Sequence, residues 1–558
     1  MKLKNFTILE ILNRRCGMYN NELDELAKIV AEKREANIKF EATRLTAEEK
    51  DTILKENHPD NIPSQFEEIK IGPNKGEKAP IELTKVLEGK PRLSSKDVNL
   101  DNVDYTADVL VIGGGGSGTS AAIMASEAGA KVLLVTKLRV GDANTMMAEG
   151  GIQAADKPND SPAQHYLDAF GGGHFDGVPE LVYTLVNKAP EAIKWLNDLG
   201  VEFDKEADGT MVTTHGGGTS RKRMHACKDY SGAEIMRTLR DEAFNRAKDI
   251  EIVDFTAAIE IIKDDKGNAA GAVLMNMETG EIRIAKAKVV VIATGGAGRM
   301  HYQNFPTSNH YGATADGLVL AYRAGAKLLY QDSLQYHPTG AAYPAQILGA
   351  LVTEKVRSLG AKLVNAKGEV YIHPLETRDV NASGIIKQCK IGNGIKTAIS
   401  EGVWLDTPMI EAIHGEGTIE KRIPAMLRMF GKYGIDIRKE PILVYPTLHY
   451  QNGGVKINKD CQTSVPNLLV AGEAAGGIHG TNRLMGNSLL DVVVFGRQAG
   501  MAAGRMFKDI SMPEKLTLKH VDDFEAERAS AGITDETPSP KLLPSYTHGN
   551  PKLEMGAN

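Results

Sequence analysis

Three glycines, Gly113, Gly115 and Gly118, stand in a G-x-G-x-x-G spacing. An apolar run of strand length, Val109 to Ile112, precedes them, and a run of small residues, Thr119 to Ala128, follows. The first glycine permits a tight turn, the second lets the backbone approach a pyrophosphate, and the third lets helix and strand pack closely. The helix that follows turns free N–H groups and its positive dipole end toward the phosphates. A second apolar run, Val132 to Val135, completes a βαβ unit. The chain holds 57 glycines in 558 residues, so the motif gains its weight from lying between two strands. The pattern predicts a dinucleotide site. Thr136-Lys137 stands where an acid ordinarily holds the ribose of NAD, which weakens an NAD reading and leaves FAD open.

The elements around this unit follow from patterning. Before it, residues 1–105 are highly charged. Leu23, Leu26, Ile29 and Val30 recur at helical spacing, Thr46-Ala-Glu-Glu49 has the form of a capping box, and Gly72 to Pro80 reads as a turn or linker. This region is expected to be a surface appendage or a docking arm. After the unit, Asp142 to Gly151 is rich in small residues, and helical patterns lie near Glu180–Leu199 and Gly232–Ala247. The intervening Thr214 to His225 reads as a mobile basic loop in which Arg221 and Arg223 are solvated. Glu251–Ile262 and Ala269–Asn276 alternate as antiparallel strands, and Lys288 to Gly298 reads as a buried strand ending in a glycine turn. The strand, turn and helix pattern returns from Asn467 through Arg505, so the nucleotide domain is predicted to be split. The tail from 509, with Pro513, Pro538, Pro540, Pro544 and Pro551, is expected to be extended.

Composition narrows the function classes. A net charge of -6 offers no electrostatic footprint for nucleic acid. The four cysteines, Cys16, Cys227, Cys389 and Cys461, are isolated, so neither a structural zinc nor an iron–sulfur cluster is expected on this chain. No apolar run reaches membrane-spanning length, and Arg14-Arg15 lacks a following apolar segment, so it reads as a helix start in a cytoplasmic protein.

Taken singly, the remaining reactive side chains are ambiguous: a lone histidine is more often a hydrogen-bonded structural residue, and Arg483 alone could cap a helix. Their surroundings remove the ambiguity. Gly113 to Gly118, Ala148-Glu-Gly-Gly151, Ala293 to Gly298, Ala315-Asp-Gly317 and Gln335 to Gly340 occur in that order, then Thr353-Glu354 with Arg357, Thr377-Arg-Asp379, Thr447 to Tyr450, Ala471-Gly-Glu473 and Gly480 to Leu489. These stretches resemble the flavoprotein subunit of the fumarate reductase and succinate dehydrogenase family, whose superfamily includes L-aspartate oxidase.

The resemblance implies FAD, and an α/β fold in which a Rossmann-like FAD-binding domain is split by an inserted α+β capping domain. The divisions are 1–105 (charged extension), 106–330 and 447–508 (FAD-binding), 331–446 (capping) and 509–558 (tail). It places the cofactor against Gly113, Gly115, Gly116, Ser117, Gly118, Thr136, Lys137, Asn144, Thr145, Glu149, Gly150, Gly151, Ala258, Thr294, Gly295, Asp316, Glu473, Asn487, Ser488 and Leu489, with no metal. It places His337, Thr353, His449 and Arg483 around the two carboxylates of a small dicarboxylate. Reducing fumarate needs a hydride on one carbon and a proton on the next; the resemblance assigns the proton to Arg378, refilled through Glu354 and Arg357, with His337 also catalytic. An arginine acid is awkward, because its pKa lies above roughly 12, and needs crowding by cations and exclusion of water.

Three departures stand out. Family members that bind FAD covalently carry a histidine where this chain has Asn144, so noncovalent FAD is expected. Arg357-Ser-Leu-Gly360 replaces the usual Arg-Gly-Glu-Gly. The family's long C-terminal helical domain is missing, while the N-terminal hundred residues are extra. L-aspartate oxidase is the second reading, weakened by His215 standing before Gly216-Gly217 where that enzyme needs an acid. A non-catalytic FAD electron-transfer subunit is the third. An iron–sulfur partner subunit, linked or not to a membrane anchor, is expected to supply electrons and to make the protein peripheral to the inner membrane.

Overall fold

The structure, a computed structural model, describes residues 19–544. The Arg14-Arg15 segment, Cys16 and Pro551 lie outside the described residues. An eight-stranded sheet organises the nucleotide-facing half of the molecule. Its parallel part sets Ile282–Ile292, Tyr105–Ile112, Val132–Val135 and Ile250–Val253 side by side, with Leu468–Val470 parallel to Ile282–Ile292. Val109 to Ile112 and Val132 to Val135 are buried throughout, as unbroken apolar runs are when both faces of a parallel sheet are covered. The helix Gly116–Glu127 follows the glycine turn and packs along Asn487–Met506. Glycine permits that approach: a Cβ at Gly500 would lie 2.3 Å from the Ala121 carbonyl oxygen.

The expected single strand from Glu251 to Ile262 is two strands. The chain breaks at Phe255, with φ 50°, so that Ile250–Val253 runs parallel to Val132–Val135 while Thr256–Asp264 pairs antiparallel with Ala269–Asn276. A second, five-stranded sheet joins Leu334–Ala341, Ile442–Gln451, Glu401–Leu405 and Leu363–Val364, with Ile395–Lys396 against Glu401–Leu405. All its strands fall in sequence between Ile282–Ile292 and Leu468–Val470 of the first sheet. Trp404, Phe430, Leu443 and Val444 form its core. The helix Arg378–Lys390 packs on it and brings the Arg378 end to the first sheet's edge. The whole is a mixed α/β fold.

The terminal segments correct two expectations. The N-terminal region is no appendage: Leu23 and Val30 of the helix Asn21–Lys39 are buried in the second sheet's core, and Arg34 pairs with the buried Asp406 at 2.9 Å. Ile69, Ile71, Leu83 and Val86 enter the main core. The capping box at Thr46 and Glu49 forms as expected and starts the helix Ala47–Asn57, which packs on Arg378–Lys390. The tail is not simply extended either. It contains the helix Lys519–Ser530, and its strands Leu516–Thr517 and Pro538–Ser539 join Thr256–Asp264 and Lys90–Pro91.

Candidate active site

The glycine turn opens on a cavity of about 1310 Å³. Gly113, Gly115, Gly116, Ser117, Thr136, Lys137, Asn144, Thr145, Ala258, Thr294, Gly295, Asp316, Glu473, Ser488 and Leu489 line it. Gly113 adopts φ +119°, and a Cβ there would lie 2.3 Å from the Ala293 carbonyl oxygen. Gly118 stands back from the cavity: its Cβ would meet the Gly113 carbonyl at 1.8 Å, which is the close helix–strand packing the motif calls for. The hydroxyls of Ser117 and Thr294 are buried without a protein partner. A long groove with a free helix N-terminus, glycine-lined walls and unpartnered hydroxyls fits a dinucleotide.

Four further residues of the expected cofactor set are absent from the lining. Gly150 and Gly151 allow packing instead: Cβ atoms there would meet Met485 Cε at 2.4 Å and the His225 carbonyl oxygen at 2.3 Å. Glu149 is buried, accepts from the Thr353 backbone N–H, and is pushed well above the ordinary carboxyl range by burial. Asn487 bonds to His165 at 3.1 Å. Conversely, Ser308, Asn309 and His310 line the cavity although the sequence reading passed over them. Asn144 is held by them: its Nδ2 donates to Asn309 Oδ1 at 3.0 Å and to Glu473 Oε2 at 3.2 Å, and its Oδ1 accepts from the His310 N–H at 2.6 Å.

At the end of the cavity lined by His449 and Tyr450, charged side chains gather in the interior. His337 lies on Leu334–Ala341 and His449 on the antiparallel neighbour Ile442–Gln451, with ring centroids 5.1 Å apart. Ser308 Oγ holds His449 Nδ1 at 2.7 Å, and the Thr339 backbone N–H donates to His337 Nδ1 at 3.2 Å. His337 Nε2 is buried and unpartnered. Burial, reinforced by the charge of Arg378, holds both histidines well below their ordinary pKa, so both are neutral.

Glu354 is the hub of the arginines. Its Oε2 accepts from Arg378 Nε at 3.0 Å and lies 3.4 Å from Arg357 Nη2, while its Oε1 accepts from the Gly217 N–H at 2.6 Å. Burial alone would raise this carboxyl, but the charges of Arg378 and Arg357 outweigh it and keep Glu354 ionised. Arg357 also donates to the Pro374 carbonyl. Arg483 stacks on Tyr450 at 4.4 Å, and burial followed by the charge of Arg378 pulls its pKa down to about 9. Its Nε and Nη2 are buried with no partner. Thr353, next to Glu354, is buried beside them. Three buried guanidiniums share one closely bound carboxylate, and donors of Arg483 and His337 remain unspent. Such a pocket stabilises a dianion, because its own positive charge is under-compensated out of water.

Two positioning groups were missed in sequence. Gln335 Oε1 accepts from Arg378 Nη1 at 3.0 Å while its Nε2 donates to the Arg483 carbonyl at 2.6 Å, so one amide ties the two arginines together. It lies inside a recognised motif, two residues before His337, and that spacing on a strand puts both on one face. The basic loop is the second correction. Arg221 is exposed, but Arg223 is 1 % exposed and bonds Asp160 at 2.7 Å and Asp168 at 2.5 Å. The acids lie more than fifty residues upstream. They pin the loop that presents Gly217 to Glu354.

A dinucleotide groove running into a pocket for a small dianion defines the class, an FAD-dependent oxidoreductase. Residues 108–489 match the FAD binding domain family, and the chain belongs to it. Within that family it is of the fumarate reductase/succinate dehydrogenase type. It is 38% identical over 80% of its length to one of the subunits of the fumarate reductase (CoM/CoB) of Methanothermobacter marburgensis, covering 80% of that chain. It is 34% identical to L-aspartate oxidase of Streptomyces coelicolor, over 76% of this chain and 73% of the other. The flavoprotein of E. coli quinol fumarate reductase superposes with a TM-score of 0.69 at 30% identity, over 76% of this chain and 74% of that one.

Proposed function

We propose that the chain is the flavoprotein subunit of a fumarate reductase, with the stretch 331–446 as a cap over the substrate. The observation that carries this reading is the buried excess of guanidinium charge, with free donors on Arg483 and His337. FAD fits the groove, held by the Gly113–Ser117 turn, Asn144, Asp316 and Glu473; when bound, it supplies the two electrons as a hydride. Arg483, His337, Thr353 and His449 bind and orient the two carboxylates, and their fixed donors stabilise charge that builds on one of them. Neutral histidines act here as hydrogen-bond donors rather than as cations. Arg378 gives the proton to the adjacent carbon and recovers it through Glu354 and Arg357. The ionised Glu354 at 3.0 Å from Arg378 Nε is placed to return a proton as soon as it is lost.

Asn144 has no ring nitrogen to alkylate, so the FAD is bound noncovalently, which favours fumarate reduction over succinate oxidation. Electrons come from a partner subunit carrying iron–sulfur clusters, since Cys227, Cys389 and Cys461 are separately buried. No helix among the described residues is long and apolar enough to cross a membrane, so contact with a membrane would run through partners on its cytoplasmic side. The M. marburgensis relative is itself named as one subunit of an enzyme, with two thiol coenzymes in its name. Against an L-aspartate oxidase, the loop ahead of Gly217 offers the exposed His215 and no acid, while Glu354 is already engaged by two arginines. Anaerobic oxidation of reduced viologen by fumarate tests the proposal; no turnover by protein with full FAD would refute it.

A further inference from the structure

The far end of the dinucleotide groove is closed by the end of the described chain. The strand Pro538–Ser539 runs parallel to Lys90–Pro91, and Arg92 Nε donates to the Pro540 carbonyl at 2.7 Å. Two residues on, Leu542 is buried and adopts φ +68°, a left-handed conformation that a bulky residue rarely takes. Such an outlier persists where its surroundings over-determine it, often at a functional site. Here it turns both backbone polar groups of Leu542 toward the groove. The N–H donates to Asp316 Oδ1 at 3.1 Å, and the carbonyl accepts from Lys137 Nζ at 2.5 Å. Lys137 Nζ also reaches Thr314 Oγ1 at 2.7 Å and Asp316 Oδ2 at 2.5 Å. An ammonium has three donors, and all three are spent.

Lys137 and Asp316 both line the cavity. Lys137 follows the second strand of the βαβ unit, Val132–Val135, where dinucleotide folds hold the adenosine ribose. The substrate pocket, marked by His449 and Tyr450, is lined by other residues of the same cavity. We propose that residues 537–544 are part of the cofactor site: through Leu542 they fix Lys137 and Asp316 at the adenosine end and set how fast FAD leaves. The proposal rests on the noncovalent reading above. In it, the tail takes over the retention that a covalent histidyl link would otherwise provide. Leu542 acts through Lys137 and Asp316 and is therefore a positioning residue.

Leu542→Pro and Leu542→Gly separate this role from mere packing. Proline removes the N–H and fixes φ near −65°, whereas glycine accepts a positive φ and keeps both backbone bonds. FAD release from the holoenzyme is read as the growth of free-flavin fluorescence after dilution. Release is expected to be at least about tenfold faster in Leu542→Pro and in a chain ended at Pro540, and within about twofold of wild type in Leu542→Gly. Lys137→Met, which leaves the tail and its strand pairing in place, is expected to speed release as well and decides the matter if the other two variants fold poorly. Wild-type release rates in folded Leu542→Pro, in the shortened chain and in Lys137→Met, with acid-labile FAD, would overturn the proposal alone. Flavin that stays on the acid-denatured wild-type polypeptide would overturn both it and the noncovalent reading.

Discussion

The dinucleotide groove and the dicarboxylate pocket meet at His449 and Tyr450 but are built on opposite principles. The groove is shaped by what is missing: glycines whose absent Cβ atoms leave room for backbone, helix and cofactor. The pocket is shaped by what is concentrated: arginines and histidines taken out of water around one carboxylate. Volume is therefore the sensitive variable in the groove, and charge in the pocket. A substitution that changes one without the other should damage one region and spare the other.

The sharpest break is expected from Gly113→Ala. The added Cβ would meet main chain, not a yielding side chain, at 2.3 Å and at φ +119°. The variant should purify essentially without flavin, read from its visible absorbance, and so without activity. Arg378→Gln should do the converse. It should keep FAD while losing fumarate turnover by about 10²–10⁴, the usual worth of a general acid. If more than about a tenth of the activity survives, the proton comes from elsewhere. Arg483→Ala is expected to raise KM and lower kcat together, since Arg483 holds a carboxylate in ground and transition states. Losing a charged hydrogen bond should cost kcat/KM about 10–100-fold, again with FAD in place.

The smallest effect concerns stability. Burial holds His58, His165 and His301 neutral down to about pH 4. The unfolded chain takes up protons at these residues below about 6.5, before the folded one does. Stability from these groups is present above about pH 6.5 and is lost as pH falls toward 4, so the melting midpoint should drop between about pH 6.5 and 5. A midpoint that rises over that interval would mean these histidines are not buried neutral.

The two regions were also unequally legible in sequence. The groove is written locally: the turn, strand and helix signals of Val109 to Val135 lie within one short stretch and fold as read. The pocket's residues were assigned through ordered motifs, and the structure brings His337, Thr353, Glu354, Arg357, Arg378, His449 and Arg483 together. What the motifs did not convey is their bracing. Gln335 carries no titratable group, and the partners of Arg223 are distant in sequence, so a buried ion pair looked like a solvated charge run. The termini failed for the same reason. The stripe of Leu23, Leu26 and Val30 suits a surface helix until the second sheet's core, more than three hundred residues away, covers it. Likewise, prolines in the tail suggested extended chain, while the contacts of Leu542 with Lys137 and Asp316 span more than two hundred residues.

The most direct test of the dianion pocket is a dicarboxylate titration of the FAD-loaded protein, with anaerobic turnover on the same preparation. Fumarate and succinate are expected to perturb the flavin spectrum saturably, Arg483→Ala to weaken that response, and fumarate to oxidise reduced viologen. A flavin spectrum indifferent to both acids, or turnover of L-aspartate to iminoaspartate with none of fumarate, would contradict the assignment.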